Sequence, residues 1–172
     1  EERFRREYGC EFLVFGETLV NSMVLSTLEG IEPQLNMGQT RWYKKMDPQK
    51  TYVVALDPAM GTGGDNAAIE VLELPTFEQV AEWKHNTTPV PQQVRILKDI
   101  CNHIKDETKS SGSNIYWSVE NNTIGESALL VINDFGEDQI PGMFVSEPIR
   151  KGHIRKFRKG FNTTHSTKIS AC

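Results

Sequence analysis

The sequence predicts an α/β protein on a mixed sheet: an antiparallel three-strand meander followed by parallel strands, flanked by helices. Three compact apolar runs, 52–57, 66–74 and 79–83, follow one another with only turn-forming residues between them. Two stretches of helical periodicity then alternate with two further short apolar runs. Strand–helix–strand units in one sheet cross over right-handed, so the later strands run parallel to the first.

Residues 1–46 read as an irregular lead-in with one or two short helices. Phe4 and Tyr8 share a face of Arg3–Tyr8, and Thr18 can cap a turn through Leu19, Met23 and Val24. Asp47-Pro48-Gln49-Lys50 is a turn, and Tyr52 to Asp57 is a buried strand ending in an acid. Pro58 to Gly64, with three glycines and a proline, is too broken for a regular element. Asn66–Leu74 resumes a β pattern and Gln79–Trp83 completes the meander. Pro91–Glu107 places Val94, Leu97, Ile100, Cys101 and Ile104 three or four apart, the signature of an amphipathic helix. Ile115–Val119 is a fourth strand, again ending in an acid, Glu120. Glu126–Phe135 is a second helix, Pro141-Gly142 turns the chain, and Met143–Ser146 is a fifth strand.

The 172 residues, 38% hydrophobic and 24% charged, suit one folded domain. No stretch approaches the roughly 20 apolar residues of a membrane span, and the start carries no apolar signal core. With no initiator Met and no natural stop at Ser170-Ala171-Cys172, the sequence reads as part of a longer polypeptide. Cys10, Cys101 and Cys172 are odd in number and far apart, which fits a reducing compartment and neither a disulfide framework nor a cysteine zinc site. The net charge of −4 conceals an asymmetry: after Glu147 come seven Lys or Arg and no acid. A basic tail on an acidic body fits a polyanion partner, or a solvated loop without one.

The acids fall at strand ends. Asp57 ends the first strand, Asp65 stands across the glycine loop ahead of the second, and Glu120 ends the fourth. Carboxylates that converge at such a crevice offer oxygen ligands to a hard divalent cation. Together with a basic segment, they suit phosphodiester hydrolysis. As single residues they are equally at home as turn or cap residues. Three readings of Asp57 to Asp65 compete. A Walker loop fails, because no Lys follows the glycines. A phosphate hairpin of the actin and sugar-kinase kind stays open, though it needs a second lobe. The third reading is the metal-binding first hairpin of an RNase H-like nuclease.

Val54-Ala55-Leu56-Asp57-Pro58-Ala59-Met60-Gly61 through Asp65-Asn66-Ala67-Ala68-Ile69, then Val119-Glu120-Asn121-Asn122-Thr123-Ile124-Gly125, resembles the nuclease domain of the large terminase subunit of tailed bacteriophages, particularly the T4-like group. Arg3-Phe4-Arg5-Arg6-Glu7-Tyr8-Gly9-Cys10-Glu11-Phe12 resembles the segment that joins that family's ATPase domain to its nuclease. The resemblance implies an RNase H-like fold over 47–172, truncated at its C-terminus, with 1–46 as a linker after an ATPase domain. It implies an endonuclease that cuts concatemeric viral DNA during genome packaging with Mg2+ or Mn2+, in the cytoplasm of the infected host. Its implied partners are double-stranded DNA, the ATPase domain, the portal protein and the small terminase subunit, and no membrane.

Carried over, the resemblance makes Asp57 the central metal ligand, Glu120 the second, and Asp65 a metal or supporting residue. Arg150, Lys151, Arg155, Lys156, Arg158 and Lys159 correspond to the loop region beside the DNA groove. The family's further carboxylate, in a His-Asp-Asp type segment near the start of a C-terminal helix, has no counterpart after Glu147 and is expected beyond Cys172, toward which a helix beginning at 167–170 continues. Asp134 and Asp138 read as helix-end residues, Glu147 as a turn residue, His153 and His165 as DNA-facing or solvated, and Trp42, Trp83 and Trp117 as packing residues. Asn121 and Asn122 either orient Glu120 or form the turn. The alternatives are a catalytically silent DNA-gripping module of the same fold and an actin-like nucleotide-binding lobe.

Overall fold

The structure is a computed structural model and describes residues 24, 27–151 and 154–162, the side chains of 149–157 excepted. The expected helical pieces at Arg3–Tyr8 and from Thr18, the helix at 167–170, and His153, His165, Cys10 and Cys172 lie outside the described residues.

The chain forms β1 (Leu35–Met37), β2 (Thr40–Trp42), β3 (Thr51–Asp57), β4 (Ala67–Leu74), β5 (Glu78–His85), α1 (Val90–Thr108), β6 (Ile115–Val119), α2 (Thr123–Phe135), a 3-10 turn (Glu137–Gln139), β7 (Met143–Phe144), β8 (Glu147–Lys151) and β9 (Ile154–Arg158). Seven strands make one mixed sheet in the order β1-β2-β5-β4-β3-β6-β7. β3, β4 and β5 are the antiparallel meander; β6 pairs parallel with β3, and β7 with β6. From β3 onward the five central strands lie in the order third, second, first, fourth, fifth, with α1 and α2 as the crossovers. This is the expected RNase H-like mixed sheet.

Alternation decides which face is covered. On β3, Tyr52, Val54 and Leu56 are buried; on β6, Ile115, Trp117 and Val119; on β4, Ala67, Ile69 and Val71. These form one core with Val94, Leu97, Ile100, Cys101 and Ile104 of α1 and Ala128 and Ile132 of α2. Fully burying such a side chain is worth roughly 1.5–3 kcal/mol, whereas the N-cap Pro89 makes no side-chain capping bond. Packing, not capping, holds α1 in place. Trp42, Trp83 and Trp117 are core residues, as expected.

Two parts depart from the sequence reading. Leu35–Met37 and Thr40–Trp42, inside the stretch read as irregular, are strands, and β2 pairs with β5, the outer strand of the meander. Three residues are too few to show a period; burial of Trp42 and edge pairing make them strands. Lys44, just past β2, meets the buried Glu73 of β4 at 3.1 Å and fastens this extension to the meander. The second departure is the basic tail, where a turn at Glu147 and a loop were expected: β8 and β9 form an antiparallel ribbon. Its feet are sewn to β6 by Val145 N–H to Trp117 O at 2.8 Å, Phe161 N–H to Val119 O at 3.0 Å and Asn121 N–H to Phe161 O at 2.6 Å. Among the described residues no helix is long and apolar enough to cross a membrane.

Candidate functional site at two strand ends

Parallel pairing of β3 with β6 runs in register up to Leu56 and Val119. The bond from Glu120 N–H to Leu56 O, 2.8 Å, carries the ladder one step further. Asp57 and Glu120 are therefore in-register neighbours at the carboxyl ends of adjacent parallel strands. Leu56 and Val119 point into the core, so by the two-residue period Asp57 and Glu120 share the opposite face, the first exposed and the second half-buried. Strands this close lie about 4.8 Å apart, a separation at which two carboxylates repel unless a cation is shared between them.

Each acid leads into a turn that fixes it. After Asp57 the chain runs through Pro58 and Ala59, and the side chain of Gln93, fully buried on α1, clamps it. Gln93 Nε2 donates to Ala59 O and to Thr88 O, both at 2.7 Å, while Ala59 N–H donates to Gln93 Oε1 at 3.3 Å. Gly61 then passes so close to the β5–α1 connection that a Cβ there would stand 2.3 Å from Thr88 O. After Glu120, Asn122 Nδ2 donates to Glu120 Oε1 at 2.8 Å, and Asn121 Nδ2 donates to Lys159 O at 2.8 Å. Both readings of the asparagines hold: Asn122 orients the carboxylate, and Asn121 ties the turn to the ribbon. The opening of α2 folds back on the same turn, where a Cβ on Gly125 would stand 1.9 Å from Glu120 O.

Asp65 lies in the exposed loop two residues ahead of β4. Among the described residues no three His, Cys, Asp or Glu side chains form a group able to hold a metal ion, so the structure brings together the pair and not a trio. Asp134 is on the last turn of α2 and Asp138 in the 3-10 turn, both helix-end positions as expected. In the ribbon, Arg150 is paired with Arg155 and Ile149 with Lys156. Lys159, at the ribbon's foot, is ion-paired with Glu137 at 3.0 Å. Cys101 is buried, and desolvation pushes its thiol up to about 12, so it is no nucleophile.

Sequence reasoning missed Gln93. The signal was present: Gln93 falls on the apolar stripe of α1, four residues before Leu97, where a polar residue needs a buried partner.

The donor set suits a hard divalent cation: two adjacent carboxylates on the face away from the core, where water can complete the shell. No protein-family model matches the sequence. Among solved structures the chain is similar to the large terminase nuclease of thermophilic phage G20c, with 16% identity over 67% of this chain and 53% of that one and a TM-score of 0.49. It is similar to the same nuclease with bound magnesium, at 16% identity over 67% and 54% with a TM-score of 0.49. It is also similar to the large terminase nuclease domain of Thermus phage P74-26, at 17% identity over 70% and 54% with a TM-score of 0.47. The chain spans about half the length of these structures.

Proposed function

We propose that this chain is a divalent-metal-dependent DNA endonuclease domain that cuts concatemeric viral DNA during genome packaging. The observation that carries the reading is the in-register placement of Asp57 and Glu120 at adjacent parallel strand ends, within the motifs whose order resembles the large terminase nucleases. Asp57 and Glu120 would hold Mg2+ or Mn2+, with Asp65 in a supporting role. Bound there, the cation would supply an activated water and charge stabilisation for phosphodiester hydrolysis. The chain's own part is to hold both carboxylates side by side while its basic groups hold the DNA backbone.

Arg150, Lys151, Arg155, Lys156, Arg158 and Lys159 form the proposed DNA contact, on a ribbon anchored next to Glu120. Among the described residues no element resembles a major-groove reading helix, so binding should be nearly indifferent to sequence. The ATPase domain of the same polypeptide, the portal protein and the small terminase subunit are the partners this reading brings with it, in the host cytoplasm.

Plasmid nicking in Mn2+ tests the reading. Cleavage by the wild type is expected to be slow and to stop on chelation. Asp57→Asn and Glu120→Gln should each lower it by about a hundredfold or more, since metal stabilisation is worth several kcal/mol and 1.36 kcal/mol is a factor of ten. Unchanged nicking by either folded variant refutes the metal site. DNA binding with no cleavage by the wild type identifies the silent gripping module instead. For the ribbon, if four to six charges meet phosphates, log affinity should fall with log salt at a slope of about −4 to −5. Replacing Arg155, Lys156, Arg158 and Lys159 by Ala should flatten it, and an unaltered slope moves the DNA groove elsewhere.

A further inference from the structure

Beyond the ribbon's foot, Asn162 joins Glu120 to a cation through a chain of amides. With its amide oriented to satisfy its neighbours, Asn162 donates to Asn122 Oδ1 at 2.6 Å and to Asn121 O at 3.2 Å, and accepts from an Arg158 guanidinium nitrogen at 3.0 Å. Asn122 in turn donates to Glu120 Oε1 at 2.8 Å. The series runs Arg158, Asn162, Asn122, Glu120, and every donor points toward the carboxylate.

Such a polarity has consequences. Each amide presents its positive end to the next acceptor, so the dipoles align with the field between a guanidinium and a carboxylate and strengthen one another. Neither amide can turn over without losing a bond on both sides. The chain lies at the surface, where one hydrogen bond adds little to stability, yet it fixes the rotamer of an acid proposed to bind metal. Groups that orient a metal ligand without touching the metal typically change affinity by 10–100-fold when removed.

We propose that Asn122 and Asn162 are positioning residues that hold the Glu120 carboxylate for the cation, with Arg158 as the anchored end of the chain. The inference rests on the metal reading above. It also gives the ribbon a second role, since Arg158, the last residue of β9, supports one ligand of the site besides its proposed contact with DNA.

The experiment uses the whole chain and Mn2+ alone, with free Mn2+ measured by electron paramagnetic resonance and folding monitored by circular dichroism. Asn162→Ala and Asn122→Ala should each weaken Mn2+ binding about tenfold. The double variant should also lose about tenfold and not a hundredfold, because both changes break one chain; residues that merely support local structure would give additive losses. Asn122 stands at the N-cap of α2, so Asn162→Ala carries the test if the other variant folds poorly. Wild-type Mn2+ affinity in Asn162→Ala, or an additive hundredfold loss in the double variant, overturns the inference alone. If the wild type binds no Mn2+ that Asp57→Asn removes, the metal reading falls and the inference with it.

Discussion

The two strand-end acids are neighbours in register, yet the chain holds them by opposite means. Asp57 is set from below: Gln93 reaches out of the core with no exposed surface and grips the backbone of Ala59 and Thr88. Glu120 is set from above, by surface amides and by the foot of a ribbon that is tied on through backbone bonds. The same kind of bond, amide to oxygen, therefore plays two roles. In the core it is part of what keeps the protein folded, because an unmet buried polar group is costly. At the surface water can replace it, so its loss disturbs geometry far more than stability.

The largest expected effect follows from the first half of that contrast. Gln93→Leu keeps the volume of the side chain but leaves Ala59 N–H and the carbonyls of Ala59 and Thr88 without the partners that Gln93 supplies. Each buried unmet group costs about 1–3 kcal/mol, so with partial relaxation the variant should lose about 2–4 kcal/mol in urea unfolding. Asn122→Ala should lose less than about 1 kcal/mol in the same measurement. Similar losses for the two would erase the distinction between a core-set and a surface-set acid.

Gly125→Ala should come next and act on the Glu120 side through the backbone. The added Cβ would stand 1.9 Å from Glu120 O, a main-chain atom that cannot rotate away, so α2 or the end of β6 must move. Overpacking of this kind costs about 1–3 kcal/mol. Because the atom displaced belongs to Glu120 itself, Mn2+ affinity should fall together with the urea midpoint. A destabilised variant with wild-type Mn2+ affinity would show that α2, and not the acid, absorbs the shift.

The same contrast explains what the sequence revealed. The meander, both crossovers and the two strand-end acids were legible because each rests on a period: apolar alternation in β3, β4 and β6, and three-four spacing in α1. β1 and β2 were not, since three residues show no period and their pairing depends on the distant edge of β5. Nor was the β8–β9 ribbon. Its basic residues read as solvated loop, and its anchoring is a set of backbone bonds to β6 that no side-chain pattern encodes. The chain from Arg158 to Glu120 joins residues far apart in sequence and exists only once Phe161 has been laid beside Glu120. Asn121 and Asn122 could be singled out; their partners could not.

The smallest effect expected concerns charge beside Asp57. On the open face, β4 and β5 set Glu70 opposite Glu82, while the corresponding positions of β6 beside Glu120 carry Ser118 and Tyr116. Glu82 is met by the Tyr43 hydroxyl at 2.6 Å and Arg41 at 3.2 Å, and Glu70 accepts from Gln79 Nε2 at 2.7 Å. Burial raises the pKa of Glu70 above 4.5; the Gln79 bond offsets part of the rise, and the charge of Glu82 adds to it. A carboxyl group whose pKa is raised in the fold keeps its proton longer than the unfolded chain does. Stability therefore falls as pH rises through the window above 4.5 and stays lowered at neutral pH. Glu70→Gln should raise stability at pH 7 by less than about 1 kcal/mol, because the group is half exposed and solvent screens it. The gain should fade as pH falls below 4.5, where the unfolded form takes up its proton as well. Loss of a negative charge several ångströms from Asp57 should at the same time weaken Mn2+ binding by about twofold. Urea midpoints at pH 7 and pH 4, with Mn2+ binding at pH 7, check both signs: an equal gain at the two pH values would mean that packing, and not charge, sets the cost of Glu70.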